Sequence, residues 1–170
     1  MQYVDDMYAY ALSFGFDKQT SMDAIHDVFC KICEQENRLS EVDNIKFYLL
    51  KSLKNRLLDI SKTRKVYFEL SDNIILEKLP FSIRITIEDE FIKAEEKEKI
   101  KQKIESILNL LTDREREIIY LRYMQEYDYD KIAELMNITP PSCRKLLHKA
   151  ISKLRESGQL YVLLVLAIIK

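Results

Sequence analysis

Arg144, Lys145, His148, Lys149, Lys153 and Arg155 follow one another with no acid between Arg144 and Arg155. On a helix, cations in that pattern gather on one side, and the chemistry open to them is recognition: charge holds phosphates, and N–H donors read base edges. Cys143, Leu147, Ala150, Ile151 and Leu154 recur at helical spacing on the other side, so the same segment has a face to bury. Other residue types capable of chemistry lack the partners it requires. His26 and Asp27 are neighbours in sequence and point in different directions on a helix, which excludes a dyad. Cys30 and Cys33 form a C-x-x-C with no second ligand pair, whereas structural zinc takes four ligands, so both are read as small packing residues. Asp128 and Asp130 read as a cap and a surface residue. The sequence carries no Gly-rich phosphate loop and no nucleophile–base pair. It therefore predicts no catalytic residue, no metal, no cofactor and no small-molecule substrate.

The cationic segment needs an element to aim it. Ahead of it, Asp128 is a good N-cap, and Ile132, Leu135 and Met136 form an apolar stripe. Ala133 is small where a crossing helix must come close. Asn137 stands where the chain turns and tolerates positive φ. Ile138 plugs the turn, Thr139 can cap the next helix, and Pro140 suits its first turn. Helix, tight turn and basic helix make a helix-turn-helix fit for the major groove, with Pro141, Ser142, Arg144, Lys145, His148 and Lys149 at the reading end.

With 170 residues, 47% hydrophobic and 32% charged, the chain is long enough for one domain or two small ones. Two glycines and three prolines are too few for the turns of a sheet protein, so an all-α fold is predicted. A net charge of −1 conceals segregation: residues 1–45 balance to −6, 46–65 to +6, 66–99 to −4 and 100–170 to +3. Two basic zones between acidic ones suggest two nucleic-acid contacts on a protein that also meets another partner. Three cysteines without a signal peptide fit a reducing cytoplasm.

In chain order, Tyr3, Met7, Tyr10 and Phe14 mark a helix already under way at Met1, which Gly15 lets stop. Thr20 or Ser21 is expected to cap a second helix to Glu36, with Met22, Ile25, Val28, Phe29 and Ile32 inward. Asp23, Asp27 and Glu34 lie on its other face, either solvated or available for docking. Asn44 begins a third helix with Ile45, Leu49, Leu53, Leu57 and Ile60 as its apolar stripe. Lys51, Lys54, Lys62 and Lys65 are expected opposite, with Phe47 near them, and Arg56 snorkelling. Cations beside Phe47 and Tyr48 suit single-stranded nucleic acid, with core packing as the other reading of the two rings. Residues 66–92 break the helical rhythm and read as a connector. Ile100, Ile104, Ile107, Leu108 and Leu111 stripe a further helix. Thr112-Asp113-Arg114-Glu115 is a capping box opening the next, which Ile118, Leu121 and Met124 continue. The uncharged tail at 160–169 would span only about 15 Å as a helix, too short to cross a membrane, so no transmembrane segment is predicted. It is expected to fold back on the last domain or to meet a protein partner.

This order, with its local sequences, resembles the extracytoplasmic-function sigma factors of RNA polymerase over residues 3–157. Residues 22–34 are similar to the family's polymerase-binding helix, with Asp23, Asp27, Val28 and Phe29 at the D-x-x-x-[DE]-V-F positions and His26 where glutamine is usual. Residues 44–65 resemble the helix that melts and reads the −10 element, with Asn55 at a frequent asparagine. Residues 111–156 resemble the −35-reading region. The chain departs from the pattern by lacking a tryptophan in the melting helix, by an opening helix that starts late, and by the tail after Gly158.

The resemblance implies two small helical domains: residues 1–65 for polymerase binding and the −10 element, and 93–157, a four-helix unit ending in helix-turn-helix, for the −35 element. Between them lies a linker at 66–92, and a hydrophobic tail at 158–170 follows. It implies polymerase contacts at Asp23, Asp27 and Glu34. It implies −10 contacts at Phe47, Tyr48, Lys51, Lys54, Asn55, Lys62, Arg64 and Lys65. The implied partners are core RNA polymerase and promoter DNA, with room for an anti-sigma factor, in the cytoplasm. A helix-turn-helix regulator that binds duplex DNA without polymerase is the alternative.

Overall fold

A computed structural model describes residues 2–34, 42–68, 79–83 and 94–168. They form two compact units, Met1–Pro80 and Phe81–Lys170, and contain helices and connecting turns but no strand.

The first unit holds α1 (Gln2–Ser13), α2 (Lys18–Cys33) and α3 (Ile45–Phe68). Met7, Tyr10 and Phe14 turn inward as their spacing predicts, while Tyr3 stays exposed. Tyr10 and Phe14 meet edge to face at 4.9 Å. Gly15 reverses the chain with a φ of 76°, a conformation that costs a side chain-bearing residue more. The cap of α2 is Asp17, ahead of the expected Thr20 or Ser21: its Oδ1 accepts from the Thr20 N–H at 2.8 Å. Ser21 is instead buried, its hydroxyl donating to the Asp17 carbonyl. Met22 is exposed, and the inward face of α2 runs through Ser21, Ala24, Ile25, Val28 and Ile32.

Asn44 opens α3 as expected, accepting from the Phe47 N–H at 2.9 Å. The buried arc is wider and turned from the predicted stripe. Leu49, Leu50, Leu53 and Leu57 are buried, and Ile45 is exposed. The reason is tertiary: α3 packs against both α1 and α2, so two sides of it are covered. The helix runs to Phe68, into the span expected to be connector.

The second unit holds α4 (Ala94–Leu108), α5 (Asp113–Ile119), a π turn (Tyr120–Met124), α6 (Tyr129–Met136), α7 (Pro140–Glu156) and α8 (Val162–Ile168). On α4, Ile104, Ile107 and Leu108 are buried, while Ile100, expected on the same stripe, is exposed. The capping box at Thr112 is present in both directions. The π turn interrupts what the spacing predicted as one continuous helix, and the Gln125 N–H reaches the Tyr120 carbonyl at 3.1 Å.

Phe81 and Ile83, from the expected connector, are buried. The Phe81 N–H donates to Asp113 Oδ1 at 2.9 Å, and Arg116 Nε donates to the Phe81 carbonyl at 2.6 Å. The rest of the expected connector, residues 69–78 and 84–92, lies outside the described residues. The tail folds back: Val162, Leu163 and Leu166 are buried, with α8 against the π turn, while Leu164 is 70% exposed. Among the described residues no helix is long and apolar enough to cross a membrane.

Candidate nucleic-acid interface

In the second unit α6 and α7 are set by local chemistry that the sequence announces. Asp128 caps α6, accepting from the Lys131 N–H at 2.8 Å, and that hydrogen bond, ahead of the nearby Lys131 charge, holds its carboxyl below the usual carboxylate range. Asn137 closes α6 in the left-handed conformation, φ 52° and ψ 50°. The Ile138 N–H returns to the Ala133 carbonyl at 2.9 Å. Thr139 caps α7 and Pro140 occupies its first turn. Cys143, Leu147, Ala150 and Leu154 are buried, as the pattern predicts, whereas Ile151, expected on the same face, is only half-buried; burial also raises the Cys143 thiol. Pro141, Ser142, Arg144, Lys145, His148 and Lys149 are all exposed on the opposite side. The α7 surface thus presents cations and a hydroxyl from its N-terminal half.

Lys153 departs from that face. Its Nζ donates to Glu115 Oε2 at 2.6 Å, and Glu115 is a side chain only 1% exposed. Burial alone would raise this carboxyl, but hydrogen bonds from Lys153 and from the Thr112 N–H, with the Lys153 charge, leave it lowered. Lys149 Nζ stands 3.8 Å from Glu115 Oε1, which accepts no hydrogen bond among the described residues. Sequence reasoning found Glu115 as half of a capping box and missed its second partner, 38 residues along the chain.

Tyr129 was also missed. Its ring centroid lies 5.4 Å from the Arg144 guanidinium carbon and 5.2 Å from that of Arg122. Arg122 is itself tied down, Nη1 donating to the Tyr127 carbonyl at 2.9 Å. Nothing local in the sequence signals this pairing, which joins three elements.

In the first unit the expected −10 residues separate. Asn55 and Lys62 are exposed, and Phe47, Tyr48 and Lys51 are half-buried. Lys54 is a correction: it is 9% exposed, with Nζ 5.7 Å from the centre of the Phe14 ring. It therefore packs against the turn that follows α1 and is withdrawn from the cationic surface. The Arg64 and Lys65 side chains lie outside the described residues.

Asp23 on α2 and Glu34 at its C-cap are exposed. Asp27 is half-buried in an ion pair that the sequence did not reveal: Nε and Nη2 of Arg56 both reach its Oδ2 at 2.7 Å. Arg56 is thus held by a partner and does not simply snorkel. Beside this pair a cleft of about 190 Å³ opens between α2 and α3, lined by Lys31, Tyr48, Asn55 and Asp59 among others. Cys30 and Cys33 are exposed, which corrects their reading as packing residues, and Cys30 Sγ is 3.6 Å from His26 Nδ1. Among the described residues no group of three or more His, Cys, Asp or Glu is placed to hold a metal ion.

Residues 101–154, most of the second unit, match the family model "Sigma-70, region 4". The chain is 22% identical over 153 residues to the ECF RNA polymerase sigma factor SigM of Bacillus subtilis (strain 168), covering 90% of this chain and 88% of that one. It is 28% identical over 130 residues to the RNA polymerase sigma-B factor of the same organism, covering 75% of this chain and 49% of that one. Among solved structures, the sigma factor RpoE, in its co-crystal structure with the anti-sigma factor NepR from Bartonella quintana, has the same fold. Its TM-score is 0.61, with 18% identity and 91% of each chain covered.

Proposed function

We infer that this chain, an RNA polymerase sigma factor of the extracytoplasmic-function type, directs core polymerase to promoters by reading −10 and −35 DNA elements. The observation that carries this reading is the exposed cationic N-terminal half of α7, standing behind a left-handed Asn137 turn inside the segment matched as region 4. In the proposed assignment Arg144, Lys145, His148 and Lys149 meet base edges and phosphates in the −35 major groove, with Pro141 and Ser142 at the leading end. Residues 1–65 serve the −10 element and the polymerase, 93–157 serve the −35 element, and 66–92 join them.

On α3, Phe47, Tyr48, Lys51, Asn55 and Lys62 face the unpaired −10 strand, where rings stack on bases and cations follow the backbone. Asp23, Asp27 and Glu34 make α2 the anionic docking surface for core polymerase, with Asp27 acting together with Arg56. The polymerase supplies all bond chemistry, so this chain contributes recognition and no catalytic group. An anti-sigma factor is a fitting regulator, as one is bound to the RpoE of similar fold. The working compartment is the cytoplasm, where polymerase and promoter are found.

The test is transcription by core polymerase on genomic DNA with and without this protein, followed by sequencing of the 5′ ends. New transcripts that share elements near −10 and −35 are expected. Failure to capture core enzyme, together with a footprint on duplex DNA in its absence, would replace this reading with that of a free-standing regulator.

A further inference from the structure

Arg144 is exposed near the start of α7, and among the described residues it has neither an acidic partner nor a carbonyl acceptor. What it does have is the Tyr129 ring, 5.4 Å from its guanidinium carbon. Tyr129 is the first residue of α6, directly after the Asp128 cap, so its backbone is anchored where the helix begins. Arg122 lies 5.2 Å from the same ring and is pinned to the Tyr127 carbonyl. The ring is therefore set by a capped helix start and lies beside a guanidinium tied to the backbone, and Arg144 reaches it from α7.

A free arginine side chain samples many rotamers and must give that freedom up when it pairs with a base or a phosphate. A ring beneath the guanidinium plane restricts it beforehand without using any N–H donor, because cation–π attraction acts through the face while the donors lie in the plane. Planar, in-plane donors are what a bidentate contact to guanine O6 and N7 requires.

We propose that Tyr129 is a positioning residue for −35 readout, its ring holding the Arg144 guanidinium aimed out of α7 before DNA arrives. This rests on the assignment of Arg144 to −35 DNA, and the test separates the two. Polymerase holoenzyme assembled with the full chain is titrated with promoter duplexes carrying either the intact or a scrambled −35 element. Tyr129→Phe, which keeps the ring, binds as wild type does. Tyr129→Leu loses about twofold to fivefold on the intact element, the range expected for loss of a cation–π contact at an exposed site, and nothing on the scrambled one. Tyr129→Leu combined with Arg144→Ala is no weaker than Arg144→Ala alone.

Additive losses in the double variant, or equal losses on both duplexes, would overturn the positioning role and leave Arg144 assigned. An Arg144→Ala variant that binds as wild type would overturn the assignment and the positioning role together. Should Tyr129→Leu unfold, Tyr129→Met carries the same comparison, since it fills similar volume without a π face. Unfolding of both variants would assign the ring to the fold and overturn the proposal.

Discussion

Glu115 is one carboxylate serving two helices. Its Oε2 accepts from the Thr112 N–H at the start of α5 and from Lys153 Nζ on α7. Removing one partner from a buried pair leaves a charge without compensation, at a cost of roughly 3–5 kcal/mol when both members are fully buried. Lys153 is 34% exposed and Lys149 stands 3.8 Å from the other oxygen. Lys153→Met should therefore cost about 2 kcal/mol, nearer the value of a partly solvated pair. Chemical denaturation measures this, and an unchanged midpoint would show the pair to be dispensable. The same residue sets an acid limb. Its folded pKa lies below its unfolded one, so the stabilisation is complete above the ordinary carboxylate value of about 4.3 and is lost as pH falls through the lowered folded value. In Glu115→Gln, stability should fall less than in wild type as pH drops below that ordinary value. Parallel curves for the two proteins would contradict the coupling.

At the level of elements, α2 and α3 are joined by the Asp27–Arg56 pair, which serves the fold as well as any docking surface. Both members are more than a third exposed, so the pair contributes at most about 1 kcal/mol. Asp27→Arg alone should lower the melting temperature slightly and weaken core polymerase binding. Adding Arg56→Asp should restore the melt and leave polymerase binding weak, since the outward charge remains reversed. Recovery of both properties would mean that Asp27 acts only through the fold. At the other end of the chain, α8 covers the π turn with Val162, Leu163 and Leu166. Fully burying each such side chain contributes roughly 1.5–3 kcal/mol before ordering costs. Truncation after Gln159 should thus destabilise the second unit by about 3 kcal/mol or more, visible as an earlier thermal transition. A transition that does not move would deny α8 its place in the core.

For the whole molecule, a formal net charge of −1 conceals charge segregated along the chain, −6 over residues 1–45 against +6 over 46–65. Association with DNA should therefore depend steeply on salt through the cationic surfaces in spite of the overall balance. In holoenzyme binding to promoter duplex, Lys145→Ala separates two kinds of contact. A phosphate contact flattens the log–log salt slope by about one unit on every sequence. A base contact costs about 1–3 kcal/mol on the cognate −35 element alone. A variant unchanged in both slope and affinity would remove Lys145 from the interface.

The sequence by itself determined the elements whose causes are local. Asp128, Asn137, Thr139 and Pro140 set the turn and both its helices through bonds that span no more than five residues, and the Thr112–Glu115 box opens α5 in the same way. The apolar spacing of α7 likewise foretold four of its buried residues, Cys143, Leu147, Ala150 and Leu154, with Ile151 left at the edge of that face. Only tertiary structure decided which cations stay on the surface. Lys54 is taken up by Phe14 in the turn after α1, Arg56 by Asp27 on α2 and Lys153 by Glu115 on α5, each partner lying on another element. It also decided that Phe81 joins the second unit and that α3 buries two sides where its periodicity showed one stripe. The physical reason is common to all of these: caps, turns and amphipathic stripes are settled within a few residues, whereas an ion pair or a ring contact between helices depends on where packing brings the second element.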